Sequence, residues 1–269
     1  MKNILSTAVF AFLIQFATAS FALPADVHLK HPGVLSVCSY SEFTPVSYGQ
    51  GEGYEADLLR AIAKKWGVLV RFHAQKTYEG LWSEPARASS SCDIAIGGIS
   101  PMKYREQQGA AFTQPSARFA QSLLVRTEDY QRGAIHSYRD FIGRSYKIGV
   151  VPGTTGEIYA HQRAQEIGLA ETVFVRYPSE KELLVALKAK KIDAIARGAI
   201  GNDYQAAIDP SVTMTDPRDF GEGFAFVVAK QNTVLLQALN TEIATLTQHG
   251  QRSYSAWVKD NQVFESNVD

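Results

Sequence analysis

The sequence predicts a two-lobed α/β protein, each lobe a mainly parallel sheet flanked by helices, the lobes joined by two hinge strands. Three observations predict it. Strands and amphipathic helices alternate between Gly33 and Ile96, the pattern of a parallel sheet covered by helices. A second such series runs from Tyr146 to Ala196. Two extended segments, Phe119–Arg126 and Gly223–Ala229, flank the second series, as expected if the chain leaves one lobe, builds another and returns.

The N-terminus stands apart from this pattern. Met1-Lys2-Asn3 is a short polar start, and an apolar run from Ile4 to Phe16 leads to small residues ending at Ala22. Ser20-Phe21-Ala22 places small residues at the first and third positions before a cut, as a secretory leader requires, with Ala17-Thr18-Ala19 as a rival site. The run is short for a membrane span, which needs roughly 20 apolar residues. Residues 1–22 are therefore expected to be a cleaved signal peptide, with a mature chain in the periplasm. No cysteine lies near the cut to carry a lipid anchor, and no later segment is apolar enough to cross a bilayer. Lys2 is the leader's one charged residue, so removing it takes the formal charge from +0 to −1. That balance points to neither nucleic acid nor an anionic membrane as partner.

In the first series, Gly33–Tyr40 reads as a buried strand, with Val34, Leu35 and Val37. A loop with Phe43 and Pro45 leads to a helix over Glu55–Trp66, where Leu58, Leu59, Ile62, Ala63 and Trp66 fall on one stripe. Gly67 suits its C-terminal cap. Val68–Phe72 is the next strand, Leu81–Ala88 a helical stretch, and Asp93–Ile96 a third strand. In the second series, strand Tyr146–Val151 turns through Gly153–Gly156 into helix Glu157–Ile167, followed by strand Val173–Tyr177. Ser179 with Glu182 forms a capping box ahead of Leu183, Leu184 and Leu187, and Ile192–Ala196 is the closing strand. Helix Thr233–Trp257 is expected to return to the first lobe. The first lobe is thus expected over residues 23–124 and 222–269, the inserted lobe over 125–221. Two connections make hinge bending the easy motion and set a cleft between the lobes.

Cys38 and Cys92 are the chain's two cysteines, and export permits a disulfide. Both fall on or beside strands of one sheet, at different heights, whereas a bridge needs Cα atoms within about 7 Å. Two separate buried thiols are the expectation this pattern favours, with the bridge as its alternative.

Four local patterns carry a resemblance over nearly the whole chain. They are Gly53-Tyr54-Glu55-Ala56-Asp57-Leu58; Cys92-Asp93-Ile94-Ala95-Ile96-Gly97-Gly98-Ile99-Ser100 with Arg105 five residues on; Ala111-Phe112-Thr113-Gln114-Pro115; and Gly149-Val150-Val151-Pro152-Gly153-Thr154-Thr155-Gly156. In that order they resemble the type II periplasmic binding proteins, in the polar amino acid branch (family 3) of the bacterial extracellular solute-binding proteins. The resemblance implies a monomeric carrier that closes on a small carboxylate-bearing solute, without a cofactor, and delivers it to an inner-membrane ABC permease.

The same resemblance assigns the contacts. Arg105 matches the arginine that holds a ligand's α-carboxylate, and a guanidinium fork suits that role. Thr155, with Gly153 and Thr154 shaping its turn, opens a helix whose free N–H groups favour an anion, though threonine there also serves as a plain cap. Gly98 and Ser100 match first-lobe carbonyl and hydroxyl contacts. Phe43 matches an aromatic lid, with Tyr40 beside it at the sheet edge where open α/β folds bind ligands. Tyr78 and Trp82 can line the pocket but suit the core equally.

Two departures bear on the ligand. Gly198 takes the place where relatives carry an aspartate for the ligand's amine, in Ala196-Arg197-Gly198-Ala199. A buried ammonium without a counter-charge is costly. Either Glu42 or Asp203 supplies that charge or the ligand lacks the amine, and Arg197 would favour a second anionic group. Met102 also stands where many relatives have threonine. Some proteins of this fold are periplasmic cyclohexadienyl dehydratases, and others serve as sensor modules. No nucleophile with an adjacent base is visible, and His28, His31, His73, His136, His161 and His249 lack metal-ligand spacing. A carrier without catalytic or metal-ligating residues is the expectation.

Overall fold

A computed structural model describes residues 22–248 and 254–261. The expected leader, apart from Ala22, lies outside the described residues. From the N-terminus the elements are β1 (Val34–Tyr40), β2 (Glu42–Phe43), β3 (Ser47–Tyr48), α1 (Tyr54–Trp66), β4 (Leu69–Gln75), β5 (Ile94–Ile96), α2 (Lys103–Gln107) and β6 (Ala110–Phe112). There follow β7 (Ala117–Arg126), α3 (Thr127–Gln131), β8 (Ile148–Val150), α4 (Thr155–Ile167), β9 (Phe174–Arg176), α5 (Glu180–Lys188), β10 (Ala194–Gly198) and α6 (Ala199–Ile208). The chain ends with β11 (Val212–Phe224), β12 (Val227–Ala229), α7 (Thr233–Gln248) and α8 (Tyr254–Asp260).

Two five-stranded sheets form the lobes, ordered β4-β1-β5-β12-β6 and β11-β7-β10-β8-β9. In the first, β4, β1 and β5 are parallel, while β12 enters antiparallel between β5 and β6. In the second, β10, β8 and β9 are parallel, and β7 lies antiparallel to both β10 and β11. The parallel strands are fully covered, as parallel sheets must be: Leu35, Val37, Ile94 and Ile96, then Ile148, Val150, Ala194 and Ile195, are all 0% exposed. The chain crosses between lobes twice, along the start of β7 and the end of β11, which pair as Ala117↔Phe224. Phe119 and Phe224 stack at that crossing, their centroids 4.1 Å apart.

One carboxylate registers each parallel sheet. Asp93 opens β5: its N–H donates to Ser36 O and its Oδ2 accepts from Ser36 N at 3.0 Å. Asp193 does the same ahead of β10, donating to Lys147 O and accepting from Lys147 N at 2.8 Å. Either aspartate thus locks the third strand of its unit to the first.

The helices follow their sequence signals with local exceptions. The α1 stripe of Leu58, Leu59, Ile62, Ala63 and Trp66 is buried, and Gly67 closes the helix in the left-handed conformation. The Leu81–Ala86 stretch is a 3₁₀ helix rather than an α-helix, with Pro85 inside it. The capping box expected at Ser179 is half made: Ser179 accepts from Glu182 N, and the reciprocal bond is absent. Helix α7 docks on α1 through Glu242, which accepts from Lys65 Nζ and Trp66 Nε1.

The cysteines correct the sequence reading. Cys38 and Cys92 are bonded, with Cα atoms 5.6 Å apart. The chain bends at Asp93, so Cys92 leaves the line of β5 and turns back over β1. The difference in height inferred from a straight strand does not exist. The bridge closes a loop of 54 residues, which by loop-closure entropy is worth about 4 kcal/mol. The double variant Cys38→Ser/Cys92→Ser is expected to lose about that much in urea unfolding. Reductant should lower the midpoint of the wild type toward the variant and leave the variant unchanged.

Candidate functional site

A small cavity lies between the lobes, where the C-terminal ends of the parallel strands face each other, the position at which open α/β sheets bind ligands. Tyr40 ends β1, Gly97 and Gly98 follow β5, Thr154–Gly156 follow β8, Glu180 follows β9, and Gly198 ends β10. Phe43, Tyr78 and the crossing rings Phe119 and Phe224 complete the wall. The lobes meet across it, and the space within it is about 30 Å³, room for roughly two waters. An organic solute enters only if the lobes part or the rings move.

The first-lobe side is held by Glu55. This α1 side chain is buried, and its Oε2 accepts from Gly97 N at 2.8 Å and Gly98 N at 2.9 Å. Gly98 has φ +65, which favours glycine, and its carbonyl accepts from Tyr78 Oη. Burial pushes the Glu55 carboxyl up to about 7 against the pull of the two N–H groups. Sequence reading placed Glu55 in a helix motif without a task; its task is to fix the loop beneath the cleft.

Arg105 is 0% exposed. Its Nη1 donates to Ser100 O at 2.7 Å, its Nε to Tyr104 Oη at 2.9 Å, and its Nη2 across the cleft to Gly153 O at 2.6 Å. The guanidinium lies over Trp82 at 4.6 Å and near Tyr78 at 5.7 Å. No carboxylate pairs with it among the described residues. Arg105, Ser100 and Gly153 stand behind the cavity rather than on its wall.

The second-lobe side is the start of α4. Thr154 caps it, accepting from Glu157 N and donating to Val151 O. Glu157 braces the turn, accepting from Gly153 N at 2.8 Å and Arg176 Nε at 2.6 Å. Among the described residues the N–H groups of Thr155 and Gly156 have no backbone partner, and both residues line the cavity. A side chain at Gly156 would meet Ala196 O at 2.7 Å, so glycine lets α4 approach β10.

Arg197 and Glu180 sit opposite. Arg197 Nη1 donates to Glu180 Oε2 at 3.0 Å, and its Nε and Nη2 go to Asn202 Oδ1 and Gly201 O. Arg197 is therefore a paired cation rather than a free anion receptor. Burial raises the pKa of Glu180, and Arg197 beside it opposes that rise. Neither acid expected beside an amine reaches the cavity wall: Glu42 accepts from Lys181 N at 3.4 Å on the cleft's outer rim, and Asp203 lies on α6. Phe43 fills the space between lobes, meeting Phe224 edge to face at 5.7 Å. Its ring lies 3.6 Å from a Cβ built at Gly198 and 2.5 Å from one built at Gly201. Sequence reading missed Glu180, Phe119 and Phe224. Glu180 was reachable, because it follows a parallel strand at the ligand-binding edge.

Comparisons place this geometry among known proteins. The family model for bacterial extracellular solute-binding proteins, family 3, matches residues 35–259. ABC transporter arginine-binding protein 1 of Escherichia coli (strain K12) is 23% identical over 256 residues, 93% of this chain and 95% of that protein. A probable histidine-binding protein of Neisseria gonorrhoeae is 24% identical, over 82% of this chain and 81% of its own. Among solved structures, an ancestral arginine-binding protein bound to glutamine matches with a TM-score of 0.71 at 24% identity, covering 85% of this chain and 98% of that one. An ancestral amino acid-binding protein, a precursor of cyclohexadienyl dehydratase, matches at 0.70 and 24%, covering 87% and 94%. The structural matches establish the shared two-lobed fold.

Two outcomes follow from the site's construction. The folded state holds the Glu55 proton to about pH 7, whereas an unperturbed carboxyl releases it near 4.5. Its contribution is complete below pH 4.5 and is lost as pH rises through 7, about 3 kcal/mol in all. Glu55→Gln has no such proton, so the stability of wild type relative to the variant should fall between pH 4.5 and 7.5 in urea titrations. Gly201→Ala, placing a methyl 2.5 Å from the Phe43 ring, is expected to push that ring out and weaken closure. Small-angle scattering should then give a larger radius of gyration than wild type; an identical profile would show that the ring is not wedged between the lobes.

Proposed function

The chain is a member of the bacterial extracellular solute-binding proteins, family 3, and from that membership we propose that it is a periplasmic carrier of a small carboxylate-bearing solute. The solute is an amino acid or a related acid, captured by closure of the two lobes and presented to an ABC importer. The observation that carries this reading is Arg105. It is a fully buried cation whose hydrogen bonds go only to neutral oxygens, those of Ser100, Tyr104 and Gly153. A buried charge needs an opposite one, and a carboxylate entering beside Gly153 supplies it. Thr155 and Gly156, whose N–H groups at the start of α4 have no backbone partner among the described residues, offer the same carboxylate further donors.

Closure is the second half of the reading. Arg105 and Ser100 belong to the first lobe and Gly153 to the second, so a ligand at this point contacts both and favours the closed form. The relatives named as arginine- or histidine-binding proteins support the solute class and the transport role. Glu180, an acid on the cavity wall, is tied to Arg197 rather than left free for proton transfer.

A thermal-shift screen with amino acids and other small organic acids tests this function. A ligand at 100 times its Kd should stabilise the protein by about 2.7 kcal/mol. Arg105→Ala should weaken the best hit by about 2–5 kcal/mol, thirtyfold or more, with its circular dichroism unchanged. Undiminished binding by that variant sinks the carboxylate role, and turnover of prephenate or arogenate by the pure protein sinks the carrier reading.

A further inference from the structure

We infer that the cleft is built for a monocarboxylate whose α-carbon carries oxygen, keto or hydroxyl, in place of an ammonium, on an apolar or aromatic body. The inference rests on the carrier reading above and specifies its solute. Charge is the first argument. Glu180 and Arg197 close on each other at 3.0 Å and cancel. Glu55 has its Oε2 engaged by Gly97 and Gly98 and its carboxyl is protonated up to about pH 7. That leaves Arg105, behind the cavity wall, as the buried charge without an acid partner among the described residues, while Glu42, the acid nearest Tyr40 and Glu180 without a cation, lies on the outer rim. A monoanion neutralises that arginine. A zwitterionic amino acid brings no net charge, leaves the Arg105 charge in place, and buries an ammonium whose nearest cavity acid, Glu180, is already paired with Arg197.

Space gives the second argument. The position that would carry an amine-pairing acid is Gly198, and it is walled in: a Cβ there lies 3.2 Å from the Phe119 ring and 3.6 Å from Phe43. Rings stand where the counter-charge would sit. The third argument is Tyr40. Its hydroxyl is buried beside the Glu180 backbone, without a well-formed hydrogen bond among the described residues, and the residue lines the cavity. Burial raises its pKa, so it remains a neutral donor. A phenol suits a keto or hydroxyl oxygen and offers an ammonium no charge. Tyr40, Phe43, Tyr78, Phe119 and Phe224 then surround the remainder of the solute with ring faces and edges.

Matched skeletons decide the matter. Isothermal titration would compare phenylalanine, phenylpyruvate and 3-phenyllactate, and in parallel leucine, 4-methyl-2-oxopentanoate and 2-hydroxy-4-methylpentanoate. The oxo or hydroxy acid is expected to bind at least tenfold tighter than its amino acid in one series or both. Tyr40→Phe should shrink that preference at least threefold by weakening the oxygen analogue more than the amino acid; a preference that survives intact overturns the role of the hydroxyl. If an amino acid matches or exceeds its oxygen analogues in both series, the inference falls and the carrier function stands. If all six fail while another carboxylate in the wider screen binds, the inference falls likewise. Failure of every carboxylate removes the carrier reading and this inference together.

Discussion

A guanidinium held between two lobes, with no acid paired to it among the described residues, governs the rest of the cleft. Arg105 reaches from the first lobe to Gly153 O of the second at 2.6 Å and is walled by Trp82, Tyr78 and Tyr104. Burying an arginine this deeply costs several kcal/mol unless its charge is met. Carbonyls and ring faces meet part of that cost. Glu55 fixes Gly97 and Gly98, and Glu157 braces the Gly153 turn, so that the two faces meet in one geometry.

The opposite wall follows a contrasting rule. Arg197 is nearly as buried as Arg105 and, like it, has all three nitrogens bonded, but one of its partners is the carboxylate of Glu180, beside Asn202 and Gly201. Asn202 extends the network to Ser122 on β7. Two buried arginines in one cleft thus have different physical roles. One is paired with an acid and ties α5 and α6 to β10, while the other bonds only neutral oxygens. Residue type alone does not separate these roles; the neighbours do.

Much of the fold was legible from periodicity. Buried strands such as Val34–Tyr40, the α1 stripe ending at Gly67, and the extended segments at Phe119 and Gly223 all depend on local pattern, and local pattern is what a sequence displays. The bend at Asp93 that joins Cys38 to Cys92 was not legible, because it reverses a direction that the strand pattern implies. The cleft divides in the same way. Arg105, Gly98, Phe43 and Thr155 stand in recognisable local motifs. Phe119 and Phe224 approach each other from opposite ends of the inserted lobe, so their stacking exists only once both crossings are formed. Glu180 reads in sequence as an ordinary first-turn helix acid, and its place against Arg197 depends on how α5 meets β10.

The place of β12 has a consequence for biosynthesis. This strand sits between β5 and β6 in the first sheet, yet the chain reaches it only after every strand of the second sheet. Whenever the chain emerges N-terminus first, the second lobe has all its strands while the first still waits for its inner partner. During that interval β5 and β6 present unpaired edges, the kind of surface that recruits wrong partners. The brevity of both strands, Ile94–Ile96 and Ala110–Phe112, keeps those edges small until Val227–Ala229 arrives to cover them.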